Sequence, residues 1–244
     1  MRQGALYIRA PALQVAAAGS LAVLAAAVLA VSAVAEAAPP PAPPVAVPSI
    51  GPRVTVVTAD ELEVDARTGV ATATGRVRVT DGVVTVTAAR ATLFHREGRG
   101  VLSGQARAAG PQGVLAGEQI AVEYTPRAIT RVEARGDAVL ETEGTRIRSD
   151  AVAVLPAADT VVAGGRVSVA AGQGITATGG RLVYRRSEGA AVLEARGRVE
   201  NADGFVEADR LESLARWERL VAAGDVHSAY RGVEVRSRTA EVFV

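Results

Sequence analysis

Few residues of this chain have the types and spacings that chemistry needs. It contains two histidines, His95 and His227, and no cysteine. A zinc site needs several His, Cys or carboxylate ligands at characteristic spacings, and neither histidine has a second His or a Cys nearby in sequence. Without cysteine there is no thiolate nucleophile and no disulfide. No G-x-S-x-G, H-E-x-x-H or P-loop pattern occurs. The Gly-x-Gly at Gly172–Gly174 stands in turn sequence, with no helix after it to hold a phosphate. What recurs is a single carboxylate: Asp60, Glu118, Asp150 and Asp209. Calcium needs a cluster of oxygens, and one acid per repeat does not supply it. The expected role is structural, a strand-start carboxylate that accepts hydrogen bonds from local backbone N–H groups. No catalytic residue, metal ligand or cofactor is expected.

Those carboxylates mark the elements that carry them. The stretch Thr58–Gly82 reads as two short alternating strands about a turn, then a third strand closed by Asp81-Gly82. Val77 and Val79 point one way and Arg76 and Arg78 the other, the period of two of a half-buried strand. The pattern returns down the chain. Its first marker is the acid with apolar residues two and four places on. Its second is a Gly followed by apolar residues at +2 and +4: Gly75, Gly104, Gly136, Gly165, Gly197 and Gly224. Its third is a turn Gly at 82, 113, 144, 174, 204 and 232, spaced 28 to 31 residues apart. Three markers sharing one period indicate stacked repeats, each burying its apolar side on its neighbours.

Composition agrees with a thin aliphatic β-protein. Of 244 residues only eight are aromatic, one Trp, four Tyr and three Phe. Such an interior must be built from Val, Ala, Leu and Ile, and β-branched Val suits a pleated surface. Charge is balanced, 27 basic against 26 acidic, and every basic residue is Arg. A nucleic-acid binder would carry a basic excess, so no nucleic-acid partner is expected. Arg2 and Arg9 precede an uncharged run, Leu13–Ala35. A positive flank followed by an apolar run is an export signal. Its length also approaches the roughly 20 residues that span a bilayer. Residues 1–37 are therefore a signal peptide, with a retained anchor as the alternative. Residues 38–53 form a Pro-rich extended linker. Residues 54–244 form one all-β domain of six repeats, with Leu214–Leu220 as a loop holding Trp217.

The inward strip is the candidate functional surface: Val77, Val79, Val84, Val86, Ile120, Leu140, Ile147, Val167, Val169, Ile175, Leu182, Val199, Leu211 and Val226. It either fills an ordinary core or lines a trough that meets a lipid. Small aliphatic lining and few aromatics suit a channel that is not completely self-filled. Outward from it project Arg76, Arg78, Arg107, Arg166 and Arg198, available to phosphate or simply solvated.

The repeats resemble a known family. T-A-D-E-L-E-V-D at Thr58–Asp65, A-T-G-R-V-R-V-T-D-G at Ala73–Gly82, A-R-G-D-A-V-L at Ala134–Leu140, A-T-G-G-R-L-V-Y at Ala177–Tyr184 and V-E-A-D-R-L-E at Val206–Glu212 are similar to the organic-solvent-tolerance-like N-terminal domain family of periplasmic lipopolysaccharide-transport bridge proteins. The resemblance covers about Val54–Val244. It implies a repeat-built antiparallel β-jellyroll with an apolar groove and no catalytic residues. It implies a periplasmic carrier of lipopolysaccharide or a related glycolipid between inner and outer membranes. The partners it implies are the periplasmic subunit of an inner-membrane ABC transporter and an outer-membrane translocon of the same fold. Assembly would run head to tail between copies through edge strands carrying Val54, Val56, Val242 and Val244. A membrane-anchored subunit of the same transporter and a ligand-free structural β-solenoid are the alternatives.

Overall fold

The computed structural model describes residues 5–17, 55–80, 83–111, 113–125, 128–142, 144–214 and 219–243. Thirteen antiparallel strands run from Thr55 to Phe243: β2 (Thr55–Asp65), β3 (Val70–Thr80), β4 (Thr85–Phe94), β5 (Arg99–Gly110), β6 (Gly113–Tyr124), β7 (Ile129–Thr142), β8 (Thr145–Leu155), β9 (Thr160–Ala171), β10 (Thr176–Arg185), β11 (Ala190–Asn201), β12 (Gly204–Leu214), β13 (Arg219–Tyr230) and β14 (Val233–Phe243). They lie side by side in chain order, with two to four residues between successive strands. Ala5–Ala17, inside the expected export segment, forms β1 and pairs with β2. The linker, Trp217, Val54 and Val244 lie outside the described residues.

Each repeat is one hairpin, with longer strands than the sequence reading expects. The two short strands expected at 70–80 are a single strand, β3, bent at its middle. The pairing skips in every strand at the same level, between Thr74 and Val77 on β3, Ser103 and Ala106 on β5, and Arg135 and Ala138 on β7. At that level a Gly and the next residue take positive φ: Gly75-Arg76 at 71° and 46°, Gly104-Gln105 at 79° and 53°. Such a bulge bends a strand without ending it. Glycine serves there because the conformation penalises a Cβ. It serves also because the neighbouring strand is close: a Cβ on Gly104 would sit 2.6 Å from Ala89 Cβ. In the fifth repeat Ala195 and Arg196 take the positive φ instead. The room is made from the other side, where Gly180 faces the Ala195 methyl.

The aligned bends fold the sheet. On β3, Ala73, Val77 and Val79 are buried, and on β7 Val132, Ala134, Ala138 and Leu140. One face is thus buried both before and after the bend. Among the described residues there is no α-helix to cover that face. Only the same face of the same sheet is left to cover it, so the two halves of every strand form two walls packed against each other. Their side chains make one cluster from Val57 to Val226.

Candidate functional site

All fourteen residues expected to line the channel lie in that cluster, none more than 8% exposed. Eleven stand on one wall, after the bend on odd strands or before it on even ones, from Val77 to Val226. Ile120, Leu182 and Leu211 stand on the other. Part of the facing wall was missed: Leu102, Val132, Ala134, Val161, Ala163, Leu193, Leu220 and Ala222 are all 0–2% exposed. Their signal is in the sequence, as apolar residues at −4 and −2 of the repeat glycine. Val132 and Ala134 precede Gly136 so, and Leu220 and Ala222 precede Gly224.

The sequence left open whether the strip fills a core or lines a trough, and over Val57–Val226 the side chains of both walls are buried against one another. Ala and Val are short, so two walls lined with them approach until their side chains interdigitate. Burying one such side chain contributes about 1.5–3 kcal/mol.

The core opens at the last hairpin. Val235 pairs with Ser228 and Val233 with Tyr230, continuing the inward row that ends in buried Val226. Yet Tyr230 is 50% exposed, Val233 65% and Val235 48%. Val242 lies on the same strand, opposite Leu220, and packs partly on the core. β14 has one neighbour, β13. At the other end Val56 is half-buried on β2. β2 has neighbours on both sides, so the outermost strand there is β1 and not the 54–57 stretch read as an edge.

The recurring acids have a different duty from the one expected. They are mid-strand and sit beside the bulge of the next strand. Arg76 Nη2 donates to Asp60 Oδ1 at 2.6 Å, and Arg166 Nη2 to Asp150 Oδ1 at 2.8 Å. The arginine hydrogen bond, first among the causes, holds each carboxyl below its ordinary range. Glu118 lies against Gly136, and Asp209 against Gly224. The acid and the glycine, two separate sequence markers, are therefore halves of one device at the bend. His95 sits in the short 3-10 turn His95–Glu97 and is exposed. His227 faces outward on β13 with its ring edge-on to Phe205, 5.2 Å between centroids. Among the described residues no group of three His, Cys, Asp or Glu converges to hold a metal, and no helix is long and apolar enough to cross a membrane.

Comparison with known proteins places this architecture. One solved structure with a similar fold is LptH of Pseudomonas aeruginosa, the LptA-homologous periplasmic component of the lipopolysaccharide transport device. It is 20% identical over 42% of this chain and 75% of its own, with a TM-score of 0.40. No curated protein matches the chain. A family model, LptA/(LptD N-terminal domain) LPS transport protein, matches residues 56–219, which span β2 to the start of β13. The bent strands and the self-covering apolar face are thus the body of a protein that belongs to the LptA/LptD N-terminal domain family of lipopolysaccharide transport proteins.

Proposed function

We propose that this protein is a non-enzymatic periplasmic bridge in lipopolysaccharide transport, and that acyl chains travel between its two walls. One observation carries the reading: a continuous aliphatic inner face, from Val57 to Val226, that opens at the β13–β14 hairpin. An acyl chain entering there replaces wall-to-wall contact with wall-to-acyl contact. Each CH₂ withdrawn from water contributes about 0.8 kcal/mol, and the displaced valines remain in apolar surroundings. Because the lining is uniform, advancing by one strand changes the balance little. That suits passage more than storage.

Assembly follows from the edges. β14 offers one unpaired edge, and removal of residues 1–37 as a signal peptide leaves β2 as the other. Strand addition then joins copies head to tail. The same addition joins them to the transporter's periplasmic subunit and to the outer-membrane translocon. The uncharged run Leu13–Ala35 supports a second reading, a retained inner-membrane anchor, and the mass of the mature N-terminus separates the two. The filled core supports a third, a ligand-free scaffold.

A photo-crosslinking residue in place of Val235, at the open end, and of Val199, within, tests the carrier reading. With purified lipopolysaccharide both positions should yield lipid adducts. Adducts at neither, with crosslinks only to neighbouring side chains, would leave the scaffold.

A further inference from the structure

The strand register collects a row of arginines on the outside of the wall that carries Val77 and Val79. Arg78 pairs across to Thr87, which pairs to Arg107. The same level continues through Ala116 and Val139 to Arg148, through Ser168 and Thr178 to Arg198, and through Glu207 and His227 to Arg236. The row runs at right angles to the strands, along the axis of the core. Eleven strand steps at about 4.8 Å make it roughly 53 Å long. Glu207 is its one carboxylate.

Several other outward arginines are paired. Arg131 and Arg135 are bridged to Glu133, Arg181 and Arg210 to Glu194, and Arg76 and Arg166 to the acids at the bend. Within the row only Arg198 is held, by Glu200 and Glu207. Among the described residues Arg78, Arg107, Arg148 and Arg236 have no carboxylate within ion-pair distance, and all four are exposed. From Arg78 to Arg198 only Thr87, Ala116, Val139, Ser168 and Thr178 stand between the arginines, and Glu207 and His227 separate Arg198 from Arg236.

We infer that this row is a binding track for a single chain of an acidic glycan, lying on the outside of the wall and parallel to the core. Guanidinium forks match carboxylate and phosphate oxygens in pairs. Thr87, Ser168 and Thr178 supply hydroxyls for the sugars between the charges. The occupant is a line and not a plane, because carboxylates flank the row on both sides. Glu141, Glu200 and Glu234 stand one outward position toward the turns, and Glu118, Asp137 and Asp150 stand toward the bend; of these Glu141 is paired with Arg146, Asp150 with Arg166 and Glu200 with the row's own Arg198. Outward positions repeat every 6.8 Å or so along a strand. The corridor between the acidic flanks is therefore about 14 Å wide, enough for one sugar chain, while an anionic membrane would press on the acids. A single-stranded nucleic acid would want stacking aromatics between the cations, and from Arg78 to Arg198 none of the intervening residues is aromatic.

The test uses fluorescence anisotropy on the purified protein. The probes are a labelled oligogalacturonate, a neutral dextran oligosaccharide of equal length, and phosphatidylglycerol vesicles. The oligogalacturonate should bind and weaken with added salt, and the dextran should not bind. R107Q/R148Q should weaken the oligogalacturonate about five- to tenfold, as loss of two exposed ion pairs implies. R181Q/R210Q removes the same charge from the opposite wall and should leave binding unchanged. Absence of oligogalacturonate binding, equal weakening by both variants, or vesicle binding as tight as the glycan's would overturn the inference. No core residue is altered, so failure here leaves the acyl-chain reading where it stands.

Discussion

Substituting Gly104 by Ala tests the bend directly. Gly104 has φ +79°, and an added Cβ would lie 2.6 Å from Ala89 Cβ on β4. Two costs result. Left-handed backbone costs a residue with a Cβ about 1–2 kcal/mol. The methyl–methyl overlap can be relieved only by moving strands apart, and overpacking of that kind costs about 1–3 kcal/mol. The sum is about 2–5 kcal/mol. Gly144→Ala is the control, since Gly144 has φ +72° and nothing within 4 Å of its added Cβ. It should lose only the backbone portion. Ala89→Gly in the Gly104→Ala background removes the overlap and should restore most of the difference, less about 0.5–1 kcal/mol for a glycine in a strand. Equilibrium urea unfolding with a common m-value reads all four proteins. If Gly104→Ala costs no more than Gly144→Ala, or Ala89→Gly restores nothing, the close approach of bend to neighbouring strand is not what requires glycine there.

Other perturbations separate core from open end and set the acid response. Leu102→Ala, at 1% exposure, should lose about 2–5 kcal/mol in the same unfolding assay, as buried Leu→Ala changes do. Val235→Ala, at 48% exposure, should stay within about 0.5 kcal/mol, and a large loss there would mean that the hairpin is covered in solution. Glu133 is 15% exposed and its carboxyl is held below the ordinary range, first by the Arg135 hydrogen bond and further by Arg131. A depressed folded value gives stability that is complete above the ordinary glutamate range, near pH 4.3 or so, and is lost as pH falls through the folded value. Glu133→Gln should therefore flatten the acid limb of thermal stability against pH, and an unchanged limb would place the response elsewhere. Val242→Pro should remove head-to-tail oligomers from light scattering while the monomer stays folded, because proline takes a backbone donor from β14 and disfavours strand addition there.

The sequence made the hairpin period legible because its turns need glycine and its inward row needs aliphatic residues at every second position. Val77, Val79, Val167 and Val169 are where that alternation puts them. It hid the difference between a strand that ends and a strand that bends, since Gly75-Arg76 is compatible with either until pairing on both sides is known. With the bend unseen, apolar residues before each glycine looked like a separate element, and that part of the second wall went unassigned. Whether two walls touch cannot be read from alternation, which is identical for walls together or apart. The arginines show the same limit. Arg76, Arg78, Arg107, Arg166 and Arg198 all alternate outward, but the register assigns Arg76 and Arg166 to the bend, bridged to acids, and adds Arg148 and Arg236 to the row.

The account turns on whether the two walls separate to admit lipid. Spin labels at Thr87 and Thr92, outward on β4 to either side of its bend, report the gap between walls by double electron–electron resonance. Titration with lipopolysaccharide should lengthen that distance by about the thickness of an acyl layer, with half-saturation matching binding. A distance unmoved at saturating lipid would contradict passage of acyl chains between the walls.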